Sequence, residues 1–272
     1  MLTFPNAKIN LGLNIVEKRT DGYHNIETVF YPIGLCDVLE VKPSETCSDY
    51  SFSSSGLAID GDAEDNLIVK AYRLLRSGYQ FPAIDISLVK QIPFGAGLGG
   101  GSADAAFTLK AINELFELKI TPSRLEKIAA KLGADCPVFI RNKPVFGSGI
   151  GNVFAPVDVS LKGYYLLLVK PEIHVSTPEA YSMVTPEKPQ ISLSELIKQP
   201  ISEWKNTIKN DFEISVFKRY PYIEKIKNEM YRLGALYASM SGSGSAVYAI
   251  FETPVETLPF FETCFVSGGI LN

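Results

Sequence analysis

From Lys8 to Ile15 apolar and polar positions alternate without a break: Ile9, Leu11, Leu13 and Ile15 against Lys8, Asn10, Gly12 and Asn14. A period of two predicts a half-buried strand whose polar face carries Lys8 and Asn10, roughly 6–7 Å apart. Thr20-Asp21-Gly22 reads as a turn, and residues 24–33 and 35–41 as strands rich in β-branched and aromatic side chains. The serine-rich stretch 44–56 predicts an exposed hairpin or loop. The period lengthens at Leu67, where residues 67–75 form an amphipathic helix opened by Asp65-Asn66 and closing near Gly78. Residues 84–92 return to a strand.

Behind a glycine-rich run, a helix starting at Ser102 turns Ala105, Leu109, Ile112, Leu115 and Phe116 inward and Lys110, Glu114 and Glu117 outward. Thr121-Pro122 supplies an N-cap and a first-turn proline for the next helix, with Gly133 ending it at Leu132. Strands are expected at 164–169 and 246–251, helices at 192–197 and 222–233, and a proline-bearing loop at 182–190. Gly147, Gly149, Gly151 and Pro156 mark a domain boundary, dividing the chain into residues 1–155 and 156–272.

The 272 residues suffice for one large or two modest domains, and 46% hydrophobic with 21% charged residues is the balance of a soluble globular protein. A net charge of −4 gives no electrostatic reason to expect nucleic acid or an anionic membrane as partner. No apolar run is long enough to span a bilayer, and the first residues lack a signal-peptide core. Cys36, Cys47, Cys136 and Cys264 show no Cys-x-x-Cys spacing. With only His24 and His174 beside them, no metal site is expected and a reducing cytoplasm is the natural setting.

The chemistry concentrates in Pro93, Phe94, Gly95, Ala96, Gly97, Leu98, Gly99, Gly100, Gly101, Ser102 and Ala103. Five glycines in seven positions let a ligand approach the backbone, and the helix start behind them presents unpaired N–H groups and the positive end of its dipole. That combination is a phosphate cradle. Gly95, Gly97 and Gly100 satisfy the dinucleotide spacing. The acidic residues about twenty positions on, Glu114 and Glu117, lie within a helix and not at a second strand's end. No Gly-Lys-Ser/Thr follows, which excludes a P-loop, and protein-kinase signatures are absent. Taken alone, Lys8 reads as a solvated edge charge and Asp135, between Gly133 and Pro137, as a cap or turn residue.

The glycine run, together with Ser241-Gly-Ser-Gly-Ser-Ala-Val, resembles the second and third motifs of the GHMP small-molecule kinases. Ala7-Lys8-Ile-Asn10-Leu, Asp21-Gly-Tyr-His24 and Leu132-Gly-Ala-Asp135-x-Pro137 are similar to members acting on an alcohol that carries a cytidine diphosphate group. The resemblance runs from Ala7 to Phe251. It implies a two-domain α+β fold, with an N-terminal half like the second domain of ribosomal protein S5 and a ferredoxin-like C-terminal half. It also implies ATP with Mg²⁺, a monomer or weak homodimer, and a role in non-mevalonate isoprenoid precursor synthesis.

By the same resemblance Lys8 and Asp135 are the catalytic pair. Asn66 and Lys90 join the glycine run in binding ATP, although a helix cap and a strand-end charge are the bland readings of those two. Asn10, Tyr23, His24, Thr177 and Tyr181 bind the substrate, with His24 on the cytosine edge and Tyr23 and Tyr181 about the ring. Ser241–Ser245 would support the cradle, and Asn210-Asp211-Phe212-Glu213 would be structural. Another GHMP kinase, of mevalonate or homoserine type, and a non-catalytic nucleotide-binding protein stay open as alternatives.

Overall fold

The computed structural model describes residues 1–58, 62–256 and 259–272. The chain runs β1 (Leu2–Thr3), β2 (Asn6–Lys18), β3 (His24–Cys36), β4 (Val38–Pro43), β5 (Tyr50–Gly56), α1 (Leu67–Arg76), β6 (Ile84–Lys90), α2 (Gly100–Leu115), α3 (Pro122–Ala129) and α4 (Val138–Arg141). It continues through β7 (Val145–Ser148), β8 (Val153–Pro156), β9 (Tyr165–Lys170), α5 (Thr177–Ser182), α6 (Leu193–Leu196), α7 (Ile201–Thr207), α8 (Phe212–Arg219), α9 (Pro221–Arg232), β10 (Tyr237–Met240), β11 (Val247–Phe251) and β12 (Phe265–Ile270).

These elements group into two units, each assembled from separated stretches of chain. One comprises Met1–Ala7, Leu35–Phe94 and Gly99–Lys143; the other comprises Lys8–Gly34, Gly95–Leu98 and Pro144–Asn272. The first holds a sheet of order β1-β4-β6-β5. In it β5 and β6 run parallel, joined through α1, while β4 pairs antiparallel with β6. The crossover helix is what permits a parallel neighbour. Asn66 caps α1, its side chain accepting from the Ile68 N–H at 2.9 Å, and Ile68, Val69, Tyr72 and Leu75 bury its apolar stripe.

The second unit holds two sheets, β2-β3-β7-β8 and the antiparallel β10-β11-β9-β12. Its core joins Leu13 and Ile15 of β2, Leu167 and Val169 of β9, and Ile223, Ile226 and Met230 of α9. Glu213, buried on α8, accepts hydrogen bonds from the Met240 N–H and the Ser239 hydroxyl, fixing that helix to β10.

Three local expectations change. Residues 50–56 form an edge strand and not a loop; their serines face outward, and only Tyr50 and Phe52 are half-buried. Strand β2 is buried on both faces from Ala7 to Leu13, so Lys8 and Asn10 are 3% and 2% exposed and Lys8 is no solvated edge charge. The helix behind the glycine run begins at Gly100, two residues before Ser102, because Gly99 takes the N-cap position at φ 71°. Gly149 and Gly151, at φ 64° and 91°, turn the β7–β8 hairpin, and residues 177–182 are a short helix capped by Ser176.

Candidate functional site

The glycine run leaves the end of β6 and enters α2 with a regular backbone alternation. Gly95, Gly97 and Gly99 have φ of 61°, 76° and 71°, while Ala96 and Leu98 between them keep negative φ. The apolar pair is buried, Ala96 at 2% and Leu98 at 1% exposure, and the glycines are half-exposed. Alternating signs of φ turn successive N–H groups toward one side, the geometry of an anion-binding nest. Unlike α1, α3, α5 and α6, helix α2 has no side-chain cap, and its first turn carries no acidic residue. Its leading N–H groups and dipole are therefore left for a ligand anion.

Within the second unit the run is clamped from two directions. The Lys8 ammonium donates to the Gly97 carbonyl at 2.9 Å and to Asn10 Oδ1 at 2.7 Å. Asn10 Nδ2 donates to Thr28 Oγ1 at 2.9 Å, which donates in turn to the Gly12 carbonyl at 2.6 Å. Both ends of the Asn10 carboxamide are thus engaged, its oxygen on Lys8 and its nitrogen on Thr28, and Tyr248 donates to the Asn10 carbonyl. From the other direction Ser241 Oγ donates to the Gly97 carbonyl at 2.9 Å. A Cβ on Gly97 would stand 1.9 Å from the Ser241 carbonyl oxygen. No other residue type permits that approach.

Within the first unit Lys90, at the end of β6, is buried beneath the helix start; a Cβ on Gly100 would lie 2.9 Å from its Nζ. Its ammonium is held by Asp37, and by Asp104 at 2.8 Å. Asp37 also accepts the Gln91 and Ile92 N–H groups through its other oxygen, fixing the exit from the strand. Burial drives the Asp104 carboxyl well above the usual carboxylate range, against the pull of Lys90 and with the push of Asp37. Asp135 is half-buried in the turn between α3 and α4. Its neighbour Cys136 meets the Ser102 hydroxyl in the first turn of α2, and burial raises that thiol to about 11.

The remaining expected residues lie in the second unit. His24 and Tyr181 stack with ring centroids 4.8 Å apart and planes 17° apart, and Tyr181 meets Phe212 edge-on. Burial, and then the charge of Lys18, lowers the His24 pKa below its usual value, so the ring is neutral near pH 7. Tyr23 is 61% exposed. Thr177 Oγ1 lies 3.2 Å from Ser243 Oγ, at the tip of the Ser-Gly loop. Sequence reasoning missed Thr28, Asp37, Asp104 and His174. Each is an isolated polar residue whose neighbours come from distant strands, so no spacing announces it.

Residues 66–143 match the description GHMP kinases N terminal domain, and residues 192–257 match GHMP kinases C terminal. A 4-diphosphocytidyl-2-C-methyl-D-erythritol kinase of Parabacteroides distasonis is 58% identical over all of both chains. One of Bacteroides fragilis is 59% identical over 97% of each.

The chain belongs to the GHMP kinases.

A crystal structure of a 4-(cytidine 5'-diphospho)-2C-methyl-D-erythritol kinase superposes with a TM-score of 0.81 at 32% identity, covering 93% of this chain and 91% of that one. The mevalonate kinase of Methanococcus jannaschii shares the GHMP kinase fold alone, at 14% identity and a TM-score of 0.71 over 100% and 98% of the two chains. The α+β class expected from the sequence is that of the GHMP kinase fold. ATP is the phosphate donor of GHMP kinases, and the alternating run ahead of an uncapped helix suits a polyphosphate. Among the described residues no helix is long and apolar enough to cross a membrane, and no cluster of three or more His, Cys, Asp or Glu side chains could hold a metal ion.

Proposed function

We propose that this kinase transfers the γ-phosphoryl group of ATP to the 2-hydroxyl of 4-diphosphocytidyl-2-C-methyl-D-erythritol, in non-mevalonate isoprenoid precursor synthesis. The observation that carries the reading is the Lys8 ammonium fixed on the carbonyl of Gly97, inside the run that cradles phosphate. Phosphoryl transfer asks mostly for positioning and charge stabilisation. The N–H groups of residues 95–102 hold the donor's phosphates. Lys8 neutralises charge that develops as the substrate oxygen bonds to phosphorus and the bridging oxygen leaves with ADP. Asp135 orients the attacking hydroxyl and takes its proton. Mg²⁺ bound with ATP would supply charge neutralisation on the phosphates, held largely by phosphate oxygens and water.

Three placements add detail. Asn10 and Thr28 set the Lys8 head, Asn66 and Lys90 support the adenosine side, and His24 with Tyr23, Tyr181 and Thr177 receives the cytidine end. A neutral His24 offers one donor and one acceptor, which suits a cytosine edge. The chain divides functionally near residue 155 and works in the cytoplasm as a monomer or weak homodimer. A coupled ADP-release assay with the cytidylated alcohol, mevalonate and homoserine tests the reading. Turnover with the first alone is expected; turnover with either of the others instead overturns it. Asp135→Asn should bind nucleotide and fail to turn over.

A further inference from the structure

His174 lies outside every motif, yet its ring packs against the first glycine of the run. A Cβ on Gly95 would stand 2.7 Å from both His174 Nδ1 and Cε1. The placement is braced on either side. The Ile173 carbonyl accepts from the Ser245 hydroxyl, and Val175 is 2% exposed in the core of the second unit. His174 itself remains exposed. An imidazole is thus held at the half-exposed edge of an anion-binding nest, between β9 and α5.

The surroundings carry little charge. Residues 95–98 and 241–245, the two loops packed here, contribute no ionisable side chain. Lys8 sits on the Gly97 carbonyl, and Lys170 and Glu172 lie on the segment of His174 itself. We infer that His174 is a phosphate-contacting residue of the donor site, its imidazolium meeting the polyphosphate of ATP at Gly95. This rests on the kinase reading above. Histidine is the side chain whose charge changes near neutral pH, and a polyphosphate beside it favours the charged form.

The chain has two histidines, so their imidazole signals separate in a long-range proton–nitrogen spectrum of the labelled full-length protein, with His174→Gln assigning them. On adding Mg²⁺ with a non-hydrolysable ATP analogue, the His174 titration midpoint should rise by about one while that of His24 stays in place. Nucleotide-induced changes in backbone amides with an unmoved His174 overturn the inference. No nucleotide-dependent change anywhere overturns the kinase reading itself. In steady state, His174→Gln should raise KM for ATP about fivefold at pH 6.5, as loss of a charge-assisted contact does, with kcat within about twofold. The effect should vanish by pH 9. An equal KM change at both pH values makes His174 a packing residue and overturns the inference.

Discussion

Lys90 Nζ and Asp104 Oδ2 meet at 2.8 Å in the interior of the first unit, where the ammonium is 3% exposed and also serves Asp37. One cation faces two carboxylates, and Asp104 Oδ1 finds no hydrogen-bond partner among the described residues. A buried, unpartnered carboxylate oxygen is costly, and burial pushes the Asp104 carboxyl up to about 7 against the pull of Lys90.

A pH dependence follows. The folded-state pKa of Asp104 is raised, so its contribution to stability is fully present below the ordinary carboxylate range and is lost as pH rises through the folded value. Asp104→Asn keeps the shape without the titration. Urea denaturation of the wild type should show stability falling between about pH 4 and 7, with a flatter profile in the variant. Lys90→Met, which strands two buried carboxylates, should lose about 3–5 kcal/mol.

Two glycine substitutions separate close approach from mere helix start. Gly97→Ala places a methyl 1.9 Å from the Ser241 carbonyl oxygen at φ 76°, and should lower the melting temperature and abolish nucleotide binding. Gly101→Ala meets only Leu67 at 3.7 Å, inside α2, and should hold or raise stability by about 0.5–1 kcal/mol. Calorimetry and nucleotide titration on both variants decide the contrast.

Thr28→Val removes the hydroxyl that joins Asn10 to the Gly12 carbonyl. The buried carboxamide loses a partner, and Lys8 loses its fixed seat. Stability should fall by about 1–3 kcal/mol. Steady-state kinetics should show kcat dropping about tenfold or more with KM for ATP little changed, because a charge needed in the transition state is misplaced.

The His24–Tyr181 stack has its own signature. The folded-state pKa of His24 is lowered, so the unfolded chain binds the proton more readily, and the stability this ring contributes is lost as pH falls below about 6.5. Tyr181→Ala lets water reach the ring. The His24 titration midpoint, read by proton–nitrogen spectroscopy, should move up toward the ordinary value, and cytidine diphosphate affinity at pH 6 should fall.

How far the sequence reaches depends on the range of the interaction. The strand at β2, the capped start of α1 at Asn66 and the glycine run ahead of a helix are local patterns, and the structure keeps each. Strand β5 escaped because an edge strand needs no apolar face, and its serines read as loop. The burial of Lys8 escaped because its cover, Gly97 and Ser241, comes from distant chain. The Asp37–Lys90–Asp104 cluster joins a strand end, a strand and a helix, and none of the three positions is unusual alone. The same holds for His174, whose neighbour Gly95 lies far back along the chain.

Gly97 and Ser241 also impose an order on synthesis. The hydroxyl that braces the phosphate run lies 144 residues downstream of it, on a loop between two of the last strands. A chain growing from its N-terminus has the cradle's own residues early, but cannot hold them in shape until β11 has been made and paired with β9. A product truncated before residue 241 keeps only the Lys8 clamp on Gly97 and should be inert toward ATP.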